Sequence, residues 1–199
     1  MKNSLRVGIT GGIGAGKSIV CKVFQILGIP IYDADSRAKW LMNHSESLKD
    51  QIKDLFGEEA YEGGELNRSM LAKSAFSNPE LLKQLNQLVH PEVARDYASW
   101  QKSQRTPYSL KEAALLFESG SYKDLDLIIT VTAPKSLRIS RVLQRDAHRS
   151  EKDIEDIINK QWSEEDKVSR SQFVIVNDGS QGVIDQVLET HQAILQQAG

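Results

Sequence analysis

The sequence predicts an α/β fold with a parallel sheet of about five strands, a helical insert and a helical lid. Two observations lead there. Residues 5–10 (LRVGIT) form a short apolar run ending in glycines, 17–27 carry an apolar stripe at helical spacing, and 29–35 (IPIYDAD) form a second short apolar run. Strand, glycine loop, helix and strand make a βαβ unit, which implies parallel pairing. The other observation is the helical stretch 36–104, which is longer than an ordinary crossover and implies an inserted subdomain.

The elements follow in order. The first helix presents Ile19, Val20, Val23, Phe24 and Leu27 on one face and stops at Gly28. Helices are expected near 36–43, 45–56, 68–75 and 79–104, with a loop at GEEAYEGGELNR between the second and third. LKEAALLFE (110–118) reads as a strand ending in Glu118, DLIITVTA (126–133) as a buried strand and FVIVND (173–178) as the last strand. Residues 135–147 read as a basic helix, 150–161 as a helix capped by Ser150, and 181–197 as the final helix.

Composition narrows the class. Of 199 residues 40% are hydrophobic and 26% charged, as in ordinary globular chains. A net charge of -2 argues against broad electrostatic binding of nucleic acid. A single cysteine, Cys21, precludes an internal disulfide and favours a reducing compartment. The N-terminal residues lack the apolar run of a signal peptide, and no stretch approaches a spanning helix, so a cytoplasmic protein without membrane partners is expected.

Gly11-Gly12-Ile13-Gly14-Ala15-Gly16-Lys17-Ser18 fits G-x-x-x-x-G-K-[ST], the P-loop, between a predicted strand and a predicted helix. Missing side chains let backbone N–H groups converge on phosphate oxygens, and the helix dipole adds to them. Lys17 reaches the β- and γ-phosphates, and Ser18 can ligate Mg²⁺. The dinucleotide pattern G-x-G-x-x-G fails, because position 17 is lysine. A guanine reader N-K-x-D is absent: NKQW (159–162) has tryptophan in place of the aspartate. Glu118 either holds Mg²⁺ through water or caps its strand.

Asp33 and Asp35 end the second predicted strand, on the edge where open α/β sheets bind ligands. Asp33 is the candidate to accept or orient the proton of an attacking hydroxyl. Asp35 is expected as a helix N-cap. Arg138, Arg141 and Arg145 are spaced to share one helical face, where guanidinium forks suit the spreading charge of a transferring phosphoryl group. Arg145 and Arg141 lead as catalytic candidates, and Arg149 at the predicted lid tip is secondary.

Taken in order, these motifs resemble the dephospho-CoA kinase family. GITGGIGAGKS, DAD (33–35), GGELNRSMLAKSAF (63–76), HPEV (90–93), LLFE (115–118), RVLQRD (141–146), Gln161 and VIVNDG (174–179) carry the likeness. The resemblance implies a P-loop nucleotide-kinase-like three-layer core. It also implies transfer of the ATP γ-phosphate to the 3′-hydroxyl of dephospho-CoA, with Mg²⁺ and by a monomer or weak homo-oligomer. It divides the chain into a nucleotide core (1–35, 105–140 and 166–199), a helical CoA domain (36–104) and a lid (141–165). It places Gly12, Gly14, Ala15, Gly16, Lys17, Ser18, Ile19 and Asn177 at ATP, and Asp33, Arg68, His90 and Glu118 at the acceptor. Two departures stand out: Ala114 replaces a common proline, and Ile19 replaces a threonine after the P-loop serine. Trp162, next to Gln161, could place an aromatic near the lid hinge, but core packing is the expected use. Other small-molecule kinases, a nucleotide-dependent switch and a nucleic-acid ATPase are the alternatives.

Overall fold

A computed structural model describes residues 4–198, without the side chains at 72, 75–77 and 79. The first three residues of the N-terminal segment read above for a leader lie outside the described residues. In chain order the elements are β1 (Leu5–Thr10), α1 (Lys17–Ile26), β2 (Ile31–Asp33), α2 (Ala34–His44), α3 (Glu46–Phe56), β3 (Tyr61–Glu62), β4 (Glu65–Leu66), α4 (Arg68–Ser77) and α5 (Pro79–Lys102). Then follow β5 (Tyr108–Glu112), β6 (Leu127–Thr132), α6 (Lys135–Arg145), α7 (Glu151–Lys160), α8 (Glu164–Ser169), β7 (Phe173–Val176) and α9 (Val183–Ala198). The chain forms two compact units, residues 1–33 with 103–199, and residues 34–102.

The first unit is built on a five-stranded sheet ordered β2-β5-β1-β6-β7. Every pairing in it is parallel. The chain leaves β1 for one side and later returns to its other side, so the strand order reverses at β1, where α/β sheets open a crevice. One face of the sheet supplies Val7, Ile9, Leu110, Ile129, Val131 and Ile175 to the core. Against it α1 packs Val20, Cys21 and Phe24, and α9 packs Val187 and Ile194. Tyr108 meets Phe24 edge-on at 6.4 Å, and its hydroxyl is hydrogen-bonded to His191 Nδ1 of α9 at 2.7 Å. On the other face a side chain at Gly8 would collide with Leu116 and Leu125. There Thr130 also bonds Ser171 at 2.7 Å.

Three expectations change. The strand expected over 110–118 is β5, Tyr108–Glu112. Beyond it the chain turns, with Ser119 N–H donating to Leu115 O at 2.9 Å and Gly120 N–H to Phe117 O at 3.0 Å. Leu116 and Phe117 are buried by that turn, so the apolar run outlasts the strand. The strand expected over 29–35 shortens to Ile31–Asp33, because α2 begins at Ala34. Asp35 therefore lies inside the first turn of α2 and is not an N-cap, although its charge still suits the helix dipole. Helix α8 was not foreseen; Ser163 caps it by accepting from Asp166 N–H at 3.0 Å.

The second unit is helical apart from one hairpin. Ser45 caps α3, and Asn67 caps α4 through Met70 N–H at 3.1 Å. Arg37 of α2 forks onto Asp96 of α5 at 2.9 and 2.6 Å. Where a loop was expected, Gly63 and Gly64 (φ 61 and 87) close β3 onto β4, a turn that favours glycine at both central positions. Tyr61 donates to Met42 O at 2.6 Å, and burial pushes its phenol up to about 12. No helix among the described residues is long and apolar enough to cross a membrane.

Candidate active site

The P-loop joins β1 to α1 at the reversal point of the sheet. Gly16 holds the N-cap position of α1 in the left-handed conformation (φ 95), with no side chain capping the helix. Ala15 N–H donates to Gly12 O at 3.0 Å, folding the loop on itself. Lys17 Nζ donates to Gly11 O at 3.0 Å, so the lysine lies back along the loop. Ser18 and Ile19 follow in the first turn and are exposed, Ile19 by 57%.

The glycines are required from behind as well as from the phosphate side. A Cβ at Gly12 would strike the Arg138 guanidinium and Glu164, one at Gly14 the Arg138 backbone, and one at Gly16 the Asn177 amide. Arg138 is 4% exposed and pairs with Glu164 at 3.3 Å. The other oxygen of Glu164 accepts from Thr132 Oγ1 at 2.7 Å. Arg138 is thus the floor of the loop, apart from Arg141 and Arg145, with which its helical spacing grouped it. Asn177, 9% exposed just past β7, donates from Nδ2 to Ala15 O at 2.9 Å. Its Oδ1 accepts from Arg141 Nη2 at 3.4 Å, while Arg141 Nη1 is buried without a hydrogen-bond partner. Gln161 Oε1 accepts from Ile13 N–H at 3.0 Å, tying the end of α7 to the loop.

Arg145 ends α6 and forks onto Asp146 at 2.9 Å for each bond. Arg149 Nε lies 3.4 Å from the same carboxylate. The hydrogen bonds and charge of Arg145 hold the Asp146 carboxyl below the usual carboxylate range.

Asp33 is the last residue of β2 and lies in register with Glu112, the last residue of β5. Glu112 is the acid that ends β5, and sequence reasoning missed it. Glu118, expected in that role, lies six positions on in the turn. Its Oε1 accepts from Trp162 N–H at 2.7 Å and lies 3.6 Å from Nζ of the fully buried Lys167. Trp162 stacks on Phe117 with ring centroids 5.5 Å apart, and Arg170 lies over its indole. Cys21 is buried; loss of solvation pushes its thiol far up, and Glu112, within hydrogen-bond reach, pushes further. Lys17 opposes that shift and Asp33 adds to it.

The first unit therefore holds the P-loop, Lys17, Ser18, Asp33, Arg141, Asn177 and Gln161, with Asp33 at the end of the edge strand β2. Arg68 and His90 belong to the second unit. Arg68 is the exposed first residue of α4, and exposed His90 precedes Pro91 within α5, well past the helix start. Among the described residues no group of three or more His, Cys, Asp or Glu could hold a metal ion. Ser18, in the first turn of α1, offers a hydroxyl oxygen to a cation delivered with a nucleotide.

A parallel sheet with a P-loop at its reversal point, a strand-end aspartate beside it and arginines behind it defines a P-loop kinase. The comparisons carry this to a family. The sequence model described as dephospho-CoA kinase matches residues 5–182, and the chain belongs to that family. A dephospho-CoA kinase from Porphyromonas gingivalis is 43% identical over 147 residues, 74% of this chain and 73% of the relative. The crystal structure of TT1252 from Thermus thermophilus superimposes with a TM-score of 0.86 at 35% identity, covering 96% of this chain and 98% of that one. Dephospho-CoA kinase from Campylobacter jejuni gives a TM-score of 0.72 at 25% identity, covering 98% of both chains.

Proposed function

We propose that the protein transfers the γ-phosphate of ATP to the 3′-hydroxyl of the dephospho-CoA ribose, releasing ADP and CoA. The supporting observation is a family match over residues 5–182 joined to a P-loop with Asp33 at the end of β2 in the same unit. The loop N–H groups and the α1 N-terminus receive the β-phosphate. Lys17 exchanges its bond to Gly11 O for the β/γ oxygens. Ser18 holds Mg²⁺, which when bound neutralises charge on the phosphate chain. The acceptor oxygen forms a bond to γ-phosphorus as the bond to the β,γ-bridging oxygen breaks, and Asp33 orients the hydroxyl and takes its proton. Arg141 offers Nη1 to the transferring group, and Arg145 exchanges Asp146 for it, within a lid near 141–165. Arg68 and His90 bind the acceptor. Asn177 acts on ATP by fixing the loop through Ala15. Glu118 anchors the hinge at Trp162, a role its present bonds support over acceptor binding. A buried lone cysteine and ATP as substrate support a cytoplasmic site of action.

The test follows ADP release from ATP-Mg²⁺ with dephospho-CoA, against dAMP, CMP and adenosine. Turnover with dephospho-CoA well above the other acceptors is expected. Folded protein that releases no ADP with dephospho-CoA overturns the proposal.

A further inference from the structure

Four consecutive residues at the joint between α7 and α8 are each held, and one of the holds ends on a buried ammonium. Gln161 closes α7, its N–H donating to Ile158 O at 3.1 Å, and its side-chain Oε1 accepts from Ile13 N–H of the P-loop at 3.0 Å. Trp162 N–H donates to Glu118 Oε1 at 2.7 Å. Ser163 caps α8. Glu164 binds Thr132 and the Arg138 guanidinium beneath the loop.

Lys167 stands one turn beyond the joint, its N–H donating to Ser163 O at 3.1 Å. It is fully buried, and its Nζ lies 3.6 Å from Glu118 Oε1, the same oxygen that accepts from Trp162. The backbone of Lys167 is fixed in turn. Its carbonyl accepts from Ser171 Oγ at 2.8 Å, and that hydroxyl bonds Thr130 of β6 at 2.7 Å. One carboxylate oxygen is therefore clamped between the N–H of the joint and an ammonium that the sheet holds in place. Phe117, next to Glu118, stacks on the Trp162 ring, so backbone and side chain of Trp162 are both held from one turn of chain.

Stability does not account for this pair. Lysine is almost never fully buried without a partner. Taking an ammonium and a carboxylate out of water costs about as much as their attraction returns, and apolar side chains of similar volume often serve the fold as well. Here Lys167 Nζ and Glu118 Oε2 are also buried without a hydrogen-bond partner. Position does account for it. The Trp162 N–H lies in the same rigid peptide plane as the Gln161 carbonyl, so holding one fixes the other. Gln161 is a rotamer-rich side chain, and a fixed backbone lowers the cost of keeping it on Ile13 N–H.

We propose that Lys167 and Glu118 are a positioning pair for the P-loop. The ammonium holds the Glu118 carboxylate, the carboxylate holds the Gln161–Trp162 peptide, and the Gln161 side chain holds Ile13 where the loop receives a nucleotide's phosphates. The same peptide ends α7, so the shape of the loop and the setting of that helix depend on one buried ion pair. The assignment rests on the reading of the P-loop as a nucleotide site but not on the identity of the acceptor.

The experiment compares two double variants that both remove the buried charges. Glu118→Gln with Lys167→Met keeps an acceptor for Trp162 N–H; Glu118→Leu with Lys167→Met does not. Binding of a non-hydrolysable ATP analogue with Mg²⁺, without acceptor, is measured for each, together with the Ile13 amide resonance by heteronuclear NMR and the thermal midpoint. The variant with Leu should lose on the order of 10-fold in affinity, with a displaced Ile13 resonance. The variant with Gln should bind within about 3-fold of wild type, with Ile13 close to its wild-type resonance. Thermal midpoints of the two should not follow this order, because the apolar replacement serves the fold as well as the amide does. Should the variant with Leu fail to fold, Lys167→Met alone takes its place, with the same loss, restored by adding Glu118→Gln. Equal affinity in the Leu and Gln variants, or an Ile13 resonance unmoved in both, overturns the proposal. Wild type that binds the analogue but does not phosphorylate dephospho-CoA refutes the proposed function and leaves the Lys167 result standing.

Discussion

The side-chain amide of Asn177 donates to the carbonyl of Ala15 at 2.9 Å across 162 positions of sequence. The end of β7 thereby holds the P-loop at the residue before its last glycine. The same side chain accepts from Arg141, so one buried amide ties the loop to α6. Position and chemistry are both used, because the Ala15 carbonyl can only accept and the Arg141 guanidinium can only donate.

Asn177→Asp tests that link. The change keeps the shape, replaces the donor with a second acceptor against the Ala15 carbonyl, and strengthens the hold on Arg141. A lost hydrogen bond with a buried group left unpaired costs about 1–3 kcal/mol. ATP affinity measured by titration calorimetry should fall on the order of 10-fold, with the acceptor KM less affected. Unchanged ATP affinity would show that the loop keeps its shape without this brace.

Arg138 supports the loop from below. Its side chain is 5% exposed and that of Glu164 20%, so truncating the arginine leaves a largely buried carboxylate without its partner. Arg138→Met should destabilise the protein by about 3–5 kcal/mol in urea unfolding. Adding Glu164→Gln, which removes the stranded charge, should recover part of that loss. A double variant no more stable than the single one would refute the ion-pair account.

Asp33→Asn separates binding from chemistry. Asparagine fills the same space and cannot take a proton. ATP binding should be retained while turnover with dephospho-CoA falls by about 10²–10⁴. Turnover within a few-fold of wild type would remove Asp33 from the proton-accepting role.

The P-loop, the βαβ unit and most helices were legible because each is written in a short window: glycine spacing, apolar periodicity, a cap. The acid that ends β5 was not. SLKEAALLFE holds two glutamates, and the unbroken apolar run points to the wrong one. The strand itself contains Ser109 and Lys111, polar yet buried on the sheet's second face, so alternation disguised it. Arg138 was grouped with its helical neighbours because nothing local marks Glu164 as its partner 26 residues on. The glycine pair of the β3–β4 hairpin was visible, but two-residue strands leave no periodicity to read.

A pH dependence follows from the contact between Tyr108 and His191. Burial lowers the His191 imidazole below its ordinary value of 6.5. The folded state therefore favours the neutral ring, and the unfolded chain takes up a proton first as pH falls. Where the unfolded state binds more protons, stability rises with pH. The contribution of His191 is thus full above about 6.5 and is lost as pH drops through that value toward the lower folded-state value. The Tyr108 phenol, pushed up by burial, remains protonated throughout this window. Thermal midpoints measured between pH 8 and 5 should decline below about 6.5 in wild type. In His191→Gln, whose amide can still meet the Tyr108 hydroxyl, that part of the decline should disappear. A variant curve parallel to wild type over this window would assign the decline to other groups.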